Sequence, residues 1–364
     1  MKHYKYIHLL WADELKFNRP LLEMFASNSV ELKSENHAFI TPHKDVYDVL
    51  QNDYTNIYLD ETSSNLFNKY APKCNYLISH DFPKKRIVLG IKKKYKKKIV
   101  YRYWGGRRYS LSYKQMKPIH NIYTYFYNHL YSIAYRLIYD NLALIGIANY
   151  VDELDLKPYI KKTPMMMLNY PSVHGYELIQ KARNNERDGD VLNVVLGHKS
   201  EPLERHIYYL ELLSKYPANM IKIFIPLSYG DELYRDQIAT YVREHDLNNV
   251  VLLTDFMPYE EYINFLGTMD VAIIDCDNSI ALGNIGVLLA LQKTVYLSRD
   301  GVIKKACDID NIPYKCVDEI AAMSFDEFSS LLDFDHEYNS SIIAQPYSYY
   351  VDLWIKAIHY LDVR

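Results

Sequence analysis

In the second half of the chain, short apolar runs alternate with stretches whose apolar positions recur every three or four residues. Val191–Gly197, Ile221–Pro226, Val250–Leu253, Val271–Asp275 and Thr294–Ser298 are rich in β-branched residues and read as strands. Between them Pro202–Lys215, Asp231–His245, Pro258–Thr268 and Asn284–Leu291 carry the helical period. The strand runs show little polar alternation, so both of their faces must be covered. That predicts a parallel sheet with helices on either side.

The first half is less regular. Tyr4–Leu10 reads as a strand, and Glu14–Ser27 as a helix with Leu15, Leu22 and Phe25 on one face. Ile57–Leu59, Tyr76–Ser79, Ile99–Trp104, Leu142–Ile147 and Pro164–Leu168 are further strand candidates. Ser112–Asn141 is a long Tyr-rich helical region broken near Pro118. The polar stretch Asn184–Asp190, "NNERDGD", is the expected linker. The expected organisation is therefore a first domain over 1–183, the linker 184–190, a second domain over 191–345, and a C-terminal helix in 346–364 that packs back on the first domain.

A chain of 364 residues suffices for two α/β domains. Its net charge of −3 gives no global attraction to nucleic acid. The opening "MKHYKYIHLL" runs straight into a strand, so no leader segment is expected. Ser132–Val151 is apolar but carries Arg136, Asp140, Asn141 and Gly146, whereas a membrane-spanning helix needs about 20 largely uncharged residues. Cys74, Cys276, Cys307 and Cys316 lack metal-ligand spacing and read as reduced thiols of a cytoplasmic protein. The 37 tyrosines against 12 phenylalanines suit sugar stacking or a membrane interface, but A/T-rich codon usage produces the same excess.

Several short motifs belong together. "IHLLWADELKFNRPLLEMF" reads as strand, loop and helix, with His8, Asp13, Asn18, Arg19 and Phe25. "ISHDF" ends a strand at His80, "YRYWGGR" holds Trp104 and Gly105, and Tyr170-Pro171 precedes the linker. "LGHKSEPLERH" supplies Gly197, Ser200 and His206; "IPLSYG" supplies Pro226 and Tyr229; "ALGNIGVLLALQKTVYLSRD" gives a loop, helix and strand. Up to about residue 320 this set resembles the bacterial 4-acetamido-4,6-dideoxygalactosyl (Fuc4NAc) transferases of enterobacterial common antigen assembly. The chain departs from that family in the basic segment after Gly90 and in "WGGR", where the family has an acidic-ended Trp-Gly motif. The resemblance implies the α/β fold called GT-B, two Rossmann-like doubly wound domains facing across a cleft. It also implies metal-independent transfer from a nucleotide (dTDP) sugar, a substrate rather than a cofactor, to a polyprenyl-diphosphate-linked glycan. Such an enzyme would work peripherally on the inner face of the cell membrane.

Transfer without a metal needs fixed donors for the departing diphosphate. Gly283, Asn284 and Gly286 open a predicted helix, where glycine lets the backbone approach closely and free N–H groups favour an anion. An ordinary strand–helix turn would read the same way. Beyond the turn at Gly197, Lys199, Ser200 and His206 could donate to phosphate or sugar, and Pro226 to Tyr229 could flank the base or ribose. "DCD" at Asp275–Asp277 invites a metal reading, but alternate strand residues project oppositely, so no catalytic metal is expected.

On the acceptor side, Asp13 follows the first strand and can take the proton of an attacking hydroxyl. It could equally cap the helix that follows. His80 is the other candidate base or else a structural histidine. Asn18 and Arg19 would orient Asp13 or the acceptor phosphate. Trp104, beside Gly105, would stack on a sugar unless it belongs to the core.

Lys92–Lys98 places six lysines around Tyr95. This suits an anionic membrane surface, at roughly 1 kcal/mol per lysine, or is simply a solvated loop. Two other functions share these features. A nucleotide-sugar epimerase of the same architecture needs neither an acceptor domain nor a basic patch, and a nucleotide-sugar-binding scaffold of a polysaccharide assembly complex would bind without turnover.

Overall fold

Six of the seven residues of Tyr4–Leu10 are buried, so this strand must lie inside a sheet with cover on both faces. The computed structural model describes all residues except 1–2, 14, 63–64, 82–86, 89, 104–132, 134–136, 138, 158–159, 171–174, 186–188, 277–280, 335–337 and 339. The chain divides into two compact units, Met1–Val173 with Tyr347–Arg364, and His174–Pro346.

The first unit is built on β1 Tyr4–Leu10, β2 His37–Thr41, β3 Ile57–Leu59, β4 Cys74–His80, β5 Ile99–Arg102, β6 Leu144–Ile147 and β7 Met165–Met167. These pair in parallel in the order β3-β2-β1-β4-β5-β6-β7. Strand alternation sends Ile7 and Leu9 to one face, where they pack with Ile40, Phe67, Leu77 and Tyr101. Tyr6, His8 and Leu10 point to the other face. There the helices Leu15–Ser27 and Tyr347–Asp362 bring Leu22, Phe25, Trp354 and Ile358 onto the sheet.

The strand β2 was not among those predicted, and the helices Lys44–Leu50, Leu66–Tyr70 and Tyr150–Leu156 were given no bounds. The predicted helical region Ser112–Asn141 lies almost wholly outside the described residues.

The second unit carries β8 Leu192–Leu196, β9 Ile221–Pro226, β10 Val250–Leu253, β11 Val271–Ile274, β12 Thr294–Leu297 and β13 Lys315–Cys316. They form a parallel sheet in the order β10-β9-β8-β11-β12-β13. The helix Tyr176–Ala182 belongs to this unit and packs on the helix Tyr259–Gly267. One predicted helix is broken. Pro202–Glu204 is a 3-10 turn, Arg205 adopts a left-handed conformation at φ 51°, and a new helix runs His206–Leu213. Among the described residues no helix is long and apolar enough to cross a membrane.

Candidate active site

In a parallel α/β sheet the loops beyond the carboxyl ends of the strands are where ligands bind. In the first unit, β1 leads into the loop Trp11–Asp13. Three hydrogen bonds fix this loop: Asn18 Nδ2 donates to the Ala12 carbonyl (2.8 Å), Trp11 Nε1 donates to Ser79 Oγ (2.9 Å), and His43 Nε2 lies 3.0 Å from the Trp11 carbonyl. Asp13 itself is exposed. Asn18, buried in the helix that follows, therefore holds the loop rather than meeting an acceptor directly. Arg19 lies on the surface, 3.4 Å from Asp53. Trp104, Gly105 and Pro171 lie outside the described residues.

His80 closes β4 at the same edge but is buried, and both of its ring nitrogens are engaged. Nδ1 is 2.5 Å from the Tyr170 hydroxyl and Nε2 is 2.8 Å from His8 Nδ1. Burial, reinforced by the Arg102 charge, pushes His80 down to about 3. It therefore has no open nitrogen to receive a proton from a substrate directly.

In the second unit the loop after β8 turns at Gly197, whose φ of 71° favours glycine. A Cβ there would collide with Glu204 Oε2 and His206 Nε2. That crowding marks a cluster absent from the sequence reading. The buried Glu204 carboxylate accepts the His198 backbone N–H (2.8 Å) and is flanked by the His198 and His206 rings. Burial opposes its charge, but hydrogen bonds from the two histidines outweigh burial and hold Glu204 at about 2. His206, fully buried, faces Glu204, so it supports the loop from beneath and does not reach a ligand itself. Beside it, Arg205 pairs with Asp275 at the end of β11, which engages one carboxylate of the "DCD" motif; Asp277 lies outside the described residues.

The Ser200 hydroxyl is also spent within the protein, donating to the Asp231 carbonyl at 2.6 Å. Lys199 remains partly exposed, 3.3 Å from Glu201. Pro226 is buried at the end of β9, whereas Tyr229 is half exposed, its ring centre 6.3 Å from that of His198 in a T-shaped arrangement. Gly283 and Asn284 occupy the first turn of the helix Leu282–Ala290, and a Cβ at Gly283 would meet nothing within 4 Å. Gly286 is different. It is buried inside that helix, where a Cβ would come within 2.5 Å of the Ile342 carbonyl oxygen. Its glycine serves a close approach of two chain segments, which corrects the reading of Gly286 as part of an anion loop.

The sequence clues to the missed cluster were present in "GHKSEPLERH", but no helical or strand period brings His198, Glu204 and His206 together. The left-handed Arg205 does so by turning the chain between Glu204 and His206.

Solved structures share this fold across the whole chain. A glycosyltransferase from Rickettsia africae superposes with a TM-score of 0.57 at 11% identity, covering 99% of this chain and 96% of its own. HepE from Anabaena in complex with UDP gives 0.58 at 9% identity, covering 100% and 98%. The α,α-trehalose 6-phosphate synthase from Burkholderia multivorans gives 0.56 at 10%, covering 100% and 99%. These likenesses establish two Rossmann-like lobes of the GT-B type. No curated protein matches the sequence. Residues 3–360 match the family described as "4-alpha-L-fucosyltransferase glycosyl transferase group 56". With nearly its whole length accounted for, the chain belongs to that glycosyltransferase family.

Proposed function

We propose that this glycosyltransferase moves a deoxyamino sugar of the Fuc4NAc type from a dTDP-linked donor to a polyprenyl-diphosphate-linked glycan. The second unit holds the donor and the first unit the acceptor. The observation that carries the reading is the exposed Asp13 carboxylate on its clamped loop at the carboxyl end of β1. A nucleotide-sugar donor is supported by the GT-B fold, shared with HepE, whose solved structures contain UDP.

In the reaction an acceptor hydroxyl oxygen forms a bond to the anomeric carbon while the bond from that carbon to the diphosphate oxygen breaks. The hydroxyl proton passes to Asp13, which later yields it to solvent. Negative charge grows on the leaving diphosphate. Lys199 and the N–H groups at Gly283 and Asn284 are the groups proposed to meet it. Tyr229 would lie against the base or ribose.

Peripheral membrane attachment through Lys92–Lys98 belongs to the same proposal, in narrower form. Lys96 donates to the Leu137 carbonyl (2.6 Å), and Lys98 donates to the Ala71 and Cys74 carbonyls (3.1 and 2.7 Å). Lys92, Lys93, Lys94 and Lys97 are exposed and are the ones offered to an anionic surface.

The test is incubation with dTDP-, UDP- and GDP-linked deoxyamino sugars, with and without a polyprenyl-diphosphate saccharide. Sugar transfer that requires the acceptor supports the reading. Conversion of the donor to an epimer without acceptor would make the protein an epimerase, and binding without any turnover would make it a scaffold.

A further inference from the structure

The second sheet changes direction at β8. The chain runs outward from β8 to β9 and β10, then crosses back to β11 and continues outward through β12 and β13. The loops that leave β8 and β11 therefore part in opposite directions, and the crevice between them is the ligand position of such a sheet. His198 is the second residue beyond β8, and Asp275 opens the loop beyond β11.

The two ring nitrogens of His198 are in different situations. Nδ1 is in contact with Glu204 Oε1, and both atoms are shut off from water. Glu204 also accepts the His198 backbone N–H at 2.8 Å, so one carboxylate holds the residue at two points. An ionised carboxylate only accepts, and the ring nitrogen against it carries a proton. Nε2 is the nitrogen left over. It has no hydrogen-bond partner among the described residues and is not among the atoms shut off from water, in a residue only 7% exposed. With the first proton fixed on Nδ1, Nε2 is a lone pair in the neutral ring and a donor in the charged one.

The groups around the ring favour the charged form once an anion arrives. Glu204 balances one positive charge from beneath, and His206 meets the same carboxylate from the far side at 3.4 Å. Burial raises the hydroxyls of Tyr229 beyond β9, Tyr234 in the helix Glu232–Glu244 and Tyr262 in the helix Tyr259–Gly267, so all three stay neutral near pH 7. The nearby cations already have partners: Lys199 lies 3.3 Å from Glu201, and Arg205 pairs with Asp275.

We propose that His198 is a proton-linked contact of the donor diphosphate: its ring takes up a second proton from solvent as the nucleotide binds, and the new N–H at Nε2 donates to a phosphate oxygen. No bond of the substrate is made or broken in this step. Such a charge-assisted hydrogen bond strengthens as negative charge grows on the departing diphosphate. Glu204 touches no substrate and acts by holding the Nδ1 proton. The inference rests on the reading of the second unit as the donor side.

Calorimetry of the full chain with dTDP, UDP and GDP at pH 8, in buffers of different ionisation enthalpy, reads the proton directly. Terminal phosphates are ionised at that pH, so uptake comes from the protein. Up to one proton taken up per nucleotide bound is expected. His198→Gln keeps a neutral donor near the place of Nε2, so it should bind without uptake. Its affinity should be about ten- to a hundredfold below wild type at pH 6, with the gap shrinking as pH rises toward 9. Independently of that variant's fold, ¹H–¹⁵N spectra of histidine-labelled wild type should show one ring become charged when nucleotide is added at pH 8. Binding without proton uptake, or uptake that persists in His198→Gln, sinks the inference and leaves the donor reading standing. Failure of all three nucleotides to bind wild type overturns both.

Discussion

The side-chain amide of Asn18 donates to the carbonyl of Ala12, so the loop that presents Asp13 is held by the helix that follows it. Asp13→Asn keeps the size of the side chain and removes the proton acceptor. Turnover should fall by about 10²–10⁴-fold, with donor affinity by calorimetry and Tm close to wild type. Asn18→Ala should give a smaller loss of turnover, because the loop is loosened while the carboxylate remains. Wild-type turnover in Asp13→Asn would remove this residue from the chemistry.

Two glycines of one helix should behave in opposite ways. At Gly286 a side chain meets the Ile342 carbonyl, so Gly286→Val should cost stability, on the order of 1–3 kcal/mol. That lowers Tm by several degrees before any question of binding arises. Gly283 faces open space, so Gly283→Ala should fold normally, and any change in nucleotide affinity there reports on the helix N-terminus itself. Equal Tm values for Gly286→Val and wild type would contradict the close packing at Ile342.

Glu204 should make stability depend on pH. Its carboxyl is held at about 2 in the folded protein, below its usual range near 4.5, so the unfolded chain binds the proton more readily. The stabilisation is fully present above about pH 4.5 and is lost as pH falls toward 2. Urea unfolding should find Glu204→Gln less stable than wild type at pH 7, with the gap narrowing steadily below about pH 4.5. A gap independent of pH would mean that Glu204 is not charged in the fold.

The lysine run should split into two groups. Changing Lys92, Lys93, Lys94 and Lys97 to glutamine should release the protein from anionic vesicles, and added salt should mimic the change by screening. Lys96→Gln with Lys98→Gln should chiefly lower Tm, since those two ammonium groups satisfy backbone carbonyls. Equal sedimentation of wild type and the fourfold variant at low and high salt would assign the patch another purpose.

Much of the architecture was legible because β8 through β12 are short apolar runs separated by periodic helices, and Ile221–Pro226 and Val250–Leu253 match residue for residue. β2 was missed although His37–Thr41 is entirely buried and bounded by Asn36 and Pro42; a leading histidine disguised a core strand. The break at Arg205 had no local signal, since a left-handed arginine is dictated by what Glu204 and Asp275 hold on either side. That Asp13 sits in a loop after a strand was readable from the sequence, because the apolar run Tyr4–Leu10 ends just before it. His80 looked solitary because His8 and His37 become its neighbours only once the strand register is known. Gly286 suggested an anion loop because glycine allows close approach to any partner, and here the partner is another stretch of backbone.

The first unit contains both ends of the described chain, with the whole of His174–Pro346 inserted between them. During synthesis, therefore, the second unit has all its strands before the first has its last helix. Until Tyr347–Asp362 emerges, the sheet face that receives Val351, Trp354 and Ile358 is covered only in part, by Leu15–Ser27. At about 5–20 residues per second that exposure lasts on the order of ten seconds or more. The first half of the chain to be made is thus the last to be finished, and it carries incompletely covered apolar surface until its final helix arrives.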